Sequence, residues 1–306
     1  MGLRPNPRLG PGAALARGAG GGTWWRRDRM HGGGRSCGAL AVEAPEKRAA
    51  SQDALPSLGQ AGIVSRTRAR RLRRWPVAIL DPKPDRRKGR GMITVYGRAT
   101  SSNVQAVMWG IGELGRVHER LDYGHAFGGL DSPEFRALTP HRLIPVIRDG
   151  DLVVWESCAI LRYLAARYGD GGAFWPADPA ARAGVDMWAE WGKTAFSASF
   201  TGPIFWARVR TPARARDEAA LTAALARFET LLDRLDDRLG AGRYVTGDAF
   251  TLADIVIGHV LFRWFDIDIP RRARPAVEAY YARLAERPAF RTHVMVSYET
   301  LRAEGA

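Results

Sequence analysis

"TPHRLIPVIRDGDLVVWESCAILRYLAARYG" (139–169) is the stretch on which the fold reading turns. Its segment "IPVIRDGDLVVWE" (144–156) reads as two β-rich runs around Asp149-Gly150, a dipeptide that favours a type I′ hairpin. The segment "SCAILRYLAARYG" (157–169) then takes the period of a helix, with Ser157 at its start and Gly169 at its end. A hairpin followed directly by a helix closes a domain, so the elements before it set what kind of domain it is.

Working upstream, "MITVY" (92–96) is short and β-rich and fits a buried strand. "GRATSSN" is a turn, after which Val104, Val107, Met108, Ile111 and Leu114 recur on one face of a helix that Gly115 ends as a C′ residue. "RVHERLDY" (116–123) can form a second strand with Val117, Glu119, Leu121 and Tyr123 on one face. "DSPEFRAL" (131–138) reads as a short helix with Ser132 as N-cap and Pro133 at N1. The order β-α-β-α-β-β-α predicts a compact α/β domain over residues 92–173.

Downstream, "WPADPAARA" (175–183) reads as a linker, and residues 178–306 are helical in pattern, with helices near 179–208, 212–239, 251–265, 274–287 and 289–302. In the second of these, Leu225, Phe228, Leu232, Leu235 and Leu239 share a face that Gly240 terminates. "FTLADI" (250–255) carries a capping box, Thr251 with Asp254 at N3, and a Phe250–Ile255 staple.

"TPHRLIPVIRDGDLVVWESCAILRYLAARYG" resembles the glutathione-binding half of the cytosolic glutathione S-transferases, where the pattern is roughly N-P-x-G-x-(V/I)-P-x-L, a hairpin, then E-S-x-A-I. The resemblance covers residues 92–306 and is most specific at "WESCAILRYLAARYG". It implies a thioredoxin-like domain followed by an all-α domain, a homodimer, and glutathione as co-substrate with no metal. Within the family the chain is similar to the serine-type theta and phi branches.

The chemistry fits that resemblance. Glutathione brings a carboxylate, an ammonium and a thiol. Glu156 can pair with the ammonium, while Ser157 and the free N–H groups at its helix start suit the carboxylate. The resemblance implies a cis Ile144-Pro145 bond and backbone contacts from Ile144 to the cysteinyl unit, as if to an added strand. It places His141 near the glycyl carboxylate. Arg142 departs from the pattern, which usually has Gly there.

"TSSN" (100–103) stands where the first strand hands over to the first helix, and a helix start with a hydroxyl donor favours a thiolate. By resemblance Ser101 donates to the thiol and Asn103 supports it; Ser101 is also an expected N-cap. Thr100 and Tyr96 are weaker alternatives, Tyr96 being expected in the core. With Asn103 where the zeta-like branch has Cys, isomerase chemistry is disfavoured. Cys158 is expected to be a small buried residue.

The aromatic run Trp188, Trp191, Phe196, Phe200, Phe205 and Trp206 suits core or dimer contact first, with part of it available to an apolar electrophile, and Arg208 and Arg210 read as solvated. The expected activity is conjugation of glutathione to an electrophile in detoxification. The alternatives are glutathione-dependent disulfide or peroxide reduction, and a non-catalytic association module.

The net charge of +14 suggests a nucleic-acid or membrane-surface partner until its location is examined. Of the 46 Lys+Arg and 32 Asp+Glu, 20 and 6 fall in residues 1–91, so residues 92–306 hold 26 of each sign. A neutral body argues against nucleic acid. Two cysteines support neither a disulfide framework nor a cysteine zinc site, and no apolar run reaches membrane-span length, so a cytoplasmic protein is expected. Residues 1–91 are a basic Gly/Arg/Pro-rich extension, expected to be disordered. Read as a basic arm, a targeting peptide or translated upstream sequence with Met92 as first residue, it fits the last best.

Overall fold

The computed structural model describes residues 91–305, so the readings made for the basic extension lie outside the described residues, save Gly91. The first lobe follows the expected order: β1 (Ile93–Tyr96), α1 (Ser102–Glu113), β2 (His118–Leu121), α2 (Pro133–Leu138), β3 (Val146–Asp149), β4 (Leu152–Trp155) and α3 (Ser157–Tyr168). The sheet order is β2-β1-β3-β4, with β1 and β2 parallel and β3 antiparallel to both β1 and β4. Ile93, Val95 and Ile147 meet Val104, Val107, Met108, Ile111, Ile160 and Leu164 in a core between the sheet and α1 and α3.

Two local expectations are corrected. Asp149 pairs with Leu152, so the two-residue loop is Gly150-Asp151 and the turn lies one residue later than expected. Gly150 alone has positive φ (59°), the pattern of a II′ turn rather than I′. Asp149 instead ends β3, and its carboxylate accepts from the Tyr163 hydroxyl (2.7 Å) and the Tyr168 hydroxyl of α3. Ser157 begins α3, as expected, and Glu156 occupies its N-cap. Finally, α1 is buried well beyond one face, because Ala106 and Trp109 on its far side enter the core of the helical lobe. Its end is as expected: Arg116 N–H bonds the Ile111 carbonyl and Gly115 N–H that of Gly112 (both 3.1 Å), a Schellman closure with Gly115 at φ 59°.

The second lobe begins with α4 (Pro179–Trp191), capped by Asp178, whose carboxylate accepts from Ala181 N–H at 2.8 Å. The helix runs on through two π-helical stretches, Gly192–Ser197 and Thr201–Arg210, separated by α5 (Ala198–Phe200). Next come α6 (Glu218–Leu239), α7 (Leu252–Gly258), α8 (Leu261–Asp266), α9 (Pro275–Ala285) and α10 (Pro288–His293). Helix α6 starts later than its apolar pattern suggests because Asp217 caps it, accepting from Ala220 N–H at 2.9 Å. The helix expected at 251–265 breaks at His259-Val260, where the Ile255 carbonyl takes both the backbone N–H and ring Nδ1 of His259 (both 3.1 Å). Helix α10 ends early; Val294, Tyr298 and Leu301 reach the core from non-helical or single-turn chain.

The lobes share Trp109, which is fully buried, stacks edge-on against Phe290 at 4.8 Å and donates from Nε1 to Glu113 at 2.8 Å. Gly110 lets α1 lie close on α3, since a Cβ there would meet Leu161 at 2.4 Å. That approach brings the starts of the two helices together.

Candidate active site

Between strand β1 and α1, the loop carbonyls are held from outside. Arg120 donates to the Gly97 carbonyl at 3.0 Å, and Arg263 of α8 donates to the Thr100 carbonyl at 2.7 Å. Arg263 is buried, with its guanidinium 4.4 Å from the Phe205 ring centre, and burial pushes its pKa down to about 10. The loop delivers Ser101 to the N-cap of α1 in extended conformation, as expected, but its side chain makes no cap hydrogen bond. The hydroxyl is therefore not spent on the helix.

At the start of α3, Glu156 adopts φ 69°, a left-handed conformation that is uncommon and costly for a residue with a Cβ. The first intrahelical bond of α3 runs from Ile160 N–H to the Glu156 carbonyl (2.9 Å), so the N–H groups of Ser157, Cys158 and Ala159 are left for other acceptors. Neither α1 nor α3 has an acidic residue in its first turn to occupy those groups.

Across from α3 lies the Ile144-Pro145 peptide, which is cis as expected. No backbone hydrogen bond takes up the Ile144 N–H or C=O among the described residues. Arg142, two residues earlier, sits at φ 54°, and its guanidinium pairs with Asp131 at 2.6 Å, which holds the Asp131 carboxyl below its usual range. The glycine that the resemblance leads one to expect here would hold a left-handed conformation without a Cβ, and arginine adopts that conformation in this chain.

An open cleft is lined by Asn103, His141, Ile144, Pro145, Glu156 and Ser157, together with Thr139, Leu143 and Trp155. Six of the seven expected site residues thus share one cavity; Ser101 stands two residues before Asn103, at the helix cap, and outside the lining. His141 packs its ring edge-on against Trp155 at 4.7 Å, and its backbone N–H donates to the buried Thr139 hydroxyl at 3.3 Å.

Other expected roles resolve as packing. Tyr96 joins Tyr123 and Phe135 in an aromatic cluster. Cys158 is buried, which pushes its thiol pKa up. Phe196, Phe200 and Phe205 are fully buried core, leaving Trp188, Trp191 and Trp206 as the partly exposed members of the aromatic run. Arg208 donates to the Asp268 carbonyl at 3.0 Å, and Arg210 lies 5.1 Å from the centre of the Trp206 ring.

Two residues of the helical lobe that sequence reasoning missed reach this region. One is Arg263. The other is Lys193, whose ammonium donates to Asn103 Oδ1 at 2.9 Å and to Ser157 Oγ at 3.1 Å. A lone lysine in an aromatic-rich helix carries no motif; the only local cue is Gly192 before it. A Cβ on Gly192 would sit 2.6 Å from Ile257, so that turn packs directly on α7.

Residues 95–172 match the family model "Glutathione S-transferase, N-terminal domain", and residues 218–283 match "Glutathione S-transferase, C-terminal domain". Glutathione S-transferase GstB of Escherichia coli (strain K12) is 37% identical over 207 residues, which is 67% of this chain and 99% of that protein. Glutathione S-transferase 3 of Zea mays is 32% identical, over 66% of this chain and 93% of its own. Among solved structures, the theta class glutathione S-transferase from Xanthomonas axonopodis pv. citri with glutathione bound is 42% identical, with a TM-score of 0.64. That match covers 67% of this chain and 98% of the other.

Proposed function

Because the chain belongs to the glutathione S-transferase family, we propose that its cleft binds glutathione as a thiolate and directs the sulfur at an electrophilic carbon. In this reading the γ-glutamyl carboxylate docks at the start of α3, on the Ser157 hydroxyl and the free N–H groups, where the helix dipole favours an anion. The neighbouring ammonium pairs with Glu156. The N–H and C=O of Ile144 bond the cysteinyl backbone as an added strand would, and His141 faces the glycyl carboxylate.

That placement sends the thiol toward the start of α1. The Ser101 hydroxyl and the Asn103 amide donate to it, and the dipole of α1 adds to the preference for the ionised form. The sulfur lone pair then forms the C–S bond as the bond from carbon to its leaving group breaks. The proton has already left with the thiol's ionisation. The electrophile is expected to be apolar, and the active unit a homodimer; a monomeric mass by light scattering would remove the second of these.

The observation that supports this reading best is the cleft itself: two helix starts with unspent donors face an Ile144 backbone that has no hydrogen-bond partner among the described residues. The test is glutathione titration with ultraviolet detection of the thiolate as pH is varied. Wild type is expected to bind and to ionise the thiol near neutral pH. Ser101→Ala should still bind but raise the apparent thiol pKa by about one unit, worth about 1.4 kcal/mol of thiolate stabilisation. Glu156→Ala should weaken binding by about 2 kcal/mol, on the order of thirtyfold, as expected for losing a hydrogen bond to a charged group. Absence of binding by wild type would overturn the reading.

A further inference from the structure

We infer that Lys193 is a positioning residue for this site: it fixes the Asn103 amide and supplies the helical lobe's positive charge to the bound thiolate. The inference rests on the glutathione reading above and assigns a role to a residue that lies outside the glutathione-binding motif.

The geometry is specific. An ammonium can only donate, so the atom of Asn103 that meets Nζ at 2.9 Å is its amide oxygen. The amide N–H₂ is then the end of Asn103 left for a ligand. Ser157 likewise accepts from Nζ at 3.1 Å through an oxygen lone pair, which leaves its hydroxyl proton for an incoming carboxylate. One lysine thus presets both donors, one at each helix start, and still has a third N–H.

The charge is also unanswered. Among the described residues, no carboxylate comes within 4.0 Å of Lys193 Nζ. The acids on α4 are engaged elsewhere: Asp186 and Glu190 both bind Arg162, at 2.7 and 2.5 Å. The His259 ring bonds the Ile255 carbonyl, and burial, with Lys193 repulsion second, pushes its pKa down to about 3, so it stays neutral. Cys158 is held as a thiol by burial. Glu156 borders the same cleft and is assigned to the ligand ammonium. A half-buried ammonium beside two helix starts, with only neutral oxygens as partners, is a place prepared for an anion.

The backbone beneath it serves that placement. Lys193 lies in the first turn of the π-helical stretch Gly192–Ser197, and such widened turns are frequent at functional sites. Gly192 permits the close contact with α7 that aims the next side chain across the lobe boundary.

The test uses the full chain, glutathione as the probe, and thiolate absorbance against pH. Lys193→Met should bind glutathione with an apparent thiol pKa higher by about one unit, a tenfold loss of thiolate below that pKa. Lys193→Arg should recover most of the shift. If Met does not fold at this position, Lys193→Gln serves, and the same rise is expected. In an Asn103→Ala background the effect of Lys193→Met should shrink, because the two act through one contact. A thiol pKa unchanged in Lys193→Met, with only a lower melting temperature, would make Lys193 a strut between the lobes and overturn the proposal. Full additivity with Asn103→Ala would overturn the route through Asn103. A wild type that does not bind glutathione fails earlier and takes the underlying reading with it.

Discussion

Among the described residues, the three non-glycine positions with positive φ, His125, Arg142 and Glu156, all lie in the α/β lobe. The buried acid, histidine and arginines, Asp254, His259, Arg263 and Arg274, all lie in the helical lobe. The lobes therefore hold their unfavourable features in different forms. The α/β lobe carries backbone conformations that cost about 1–2 kcal/mol each for an L-residue, two of them bordering or flanking the cleft. The helical lobe carries polar groups that cost about 1–3 kcal/mol each if left without partners, and it satisfies most of them internally. Substitution at Glu156 should then fall on ligand binding, and substitution at these buried polar groups of the helical lobe on folding.

The largest expected effect is at Asp254. Its carboxylate accepts from Val245 N–H (2.9 Å), Thr251 N–H (2.7 Å), the Thr251 hydroxyl (3.0 Å) and the Tyr280 hydroxyl (2.9 Å). Burial pushes its pKa up and these four donors oppose the rise. Asp254→Ala leaves several of them without an acceptor, so a loss of about 4 kcal/mol is expected. That corresponds to a melting temperature lower by about 10 °C in a chain of this size. A fall of less than about 3 °C would break the assignment of stability to this lobe's polar networks. Glutathione affinity of whatever fraction remains folded should be unchanged.

His259 sharpens the same contrast through pH. Its folded pKa, about 3, lies below the ordinary 6.5, so between those values the unfolded chain binds a proton that the folded chain does not. Stability from this group is complete above 6.5 and falls as pH drops, by about 1.4 kcal/mol per unit. At pH 5 the loss should be about 2 kcal/mol relative to pH 7.5. Urea unfolding of wild type and His259→Gln at both pH values isolates the term, since the other titrations are common to both proteins. Equal pH dependence in the two would show that the ring protonates in place.

What the sequence disclosed follows the same division. The strand, loop and helix order of the α/β lobe was legible because its turns carry their own signals: Gly115, Ser132-Pro133 and Asp149-Gly150 each mark an element end. The hairpin reading slipped by one residue because Asp-Gly signals a turn while pairing decides which two residues form it. Much of the cleft's lining was legible, since apart from Asn103 and Thr139 it sits in one contiguous stretch from His141 to Ser157. Lys193 and Arg263 were not, because each acts on the other lobe over a large sequence separation, and a single cation on an apolar helix reads as solvated. The π-helical stretches were equally hidden, since apolar spacing near 3.6 does not distinguish a widened turn from a regular one.

The smallest expected effect concerns the residue that departs from the family pattern. Arg142 holds φ 54°, and glycine would hold it without a Cβ penalty. Arg142→Gly should therefore relieve about 1 kcal/mol of strain. Against this stand the greater freedom of glycine in the unfolded chain, about 0.5–1 kcal/mol, and the lost pairing with exposed Asp131, which contributes little in solvent. The terms nearly cancel, so the melting temperature should move by no more than about 2 °C. Glutathione affinity should stay within about twofold, the range of a neutral surface change. If affinity falls well beyond that, the loop before Ile144 is held by the Arg142–Asp131 pair rather than by its backbone conformation. The α/β lobe would then depend on a side-chain contact just as the helical lobe does.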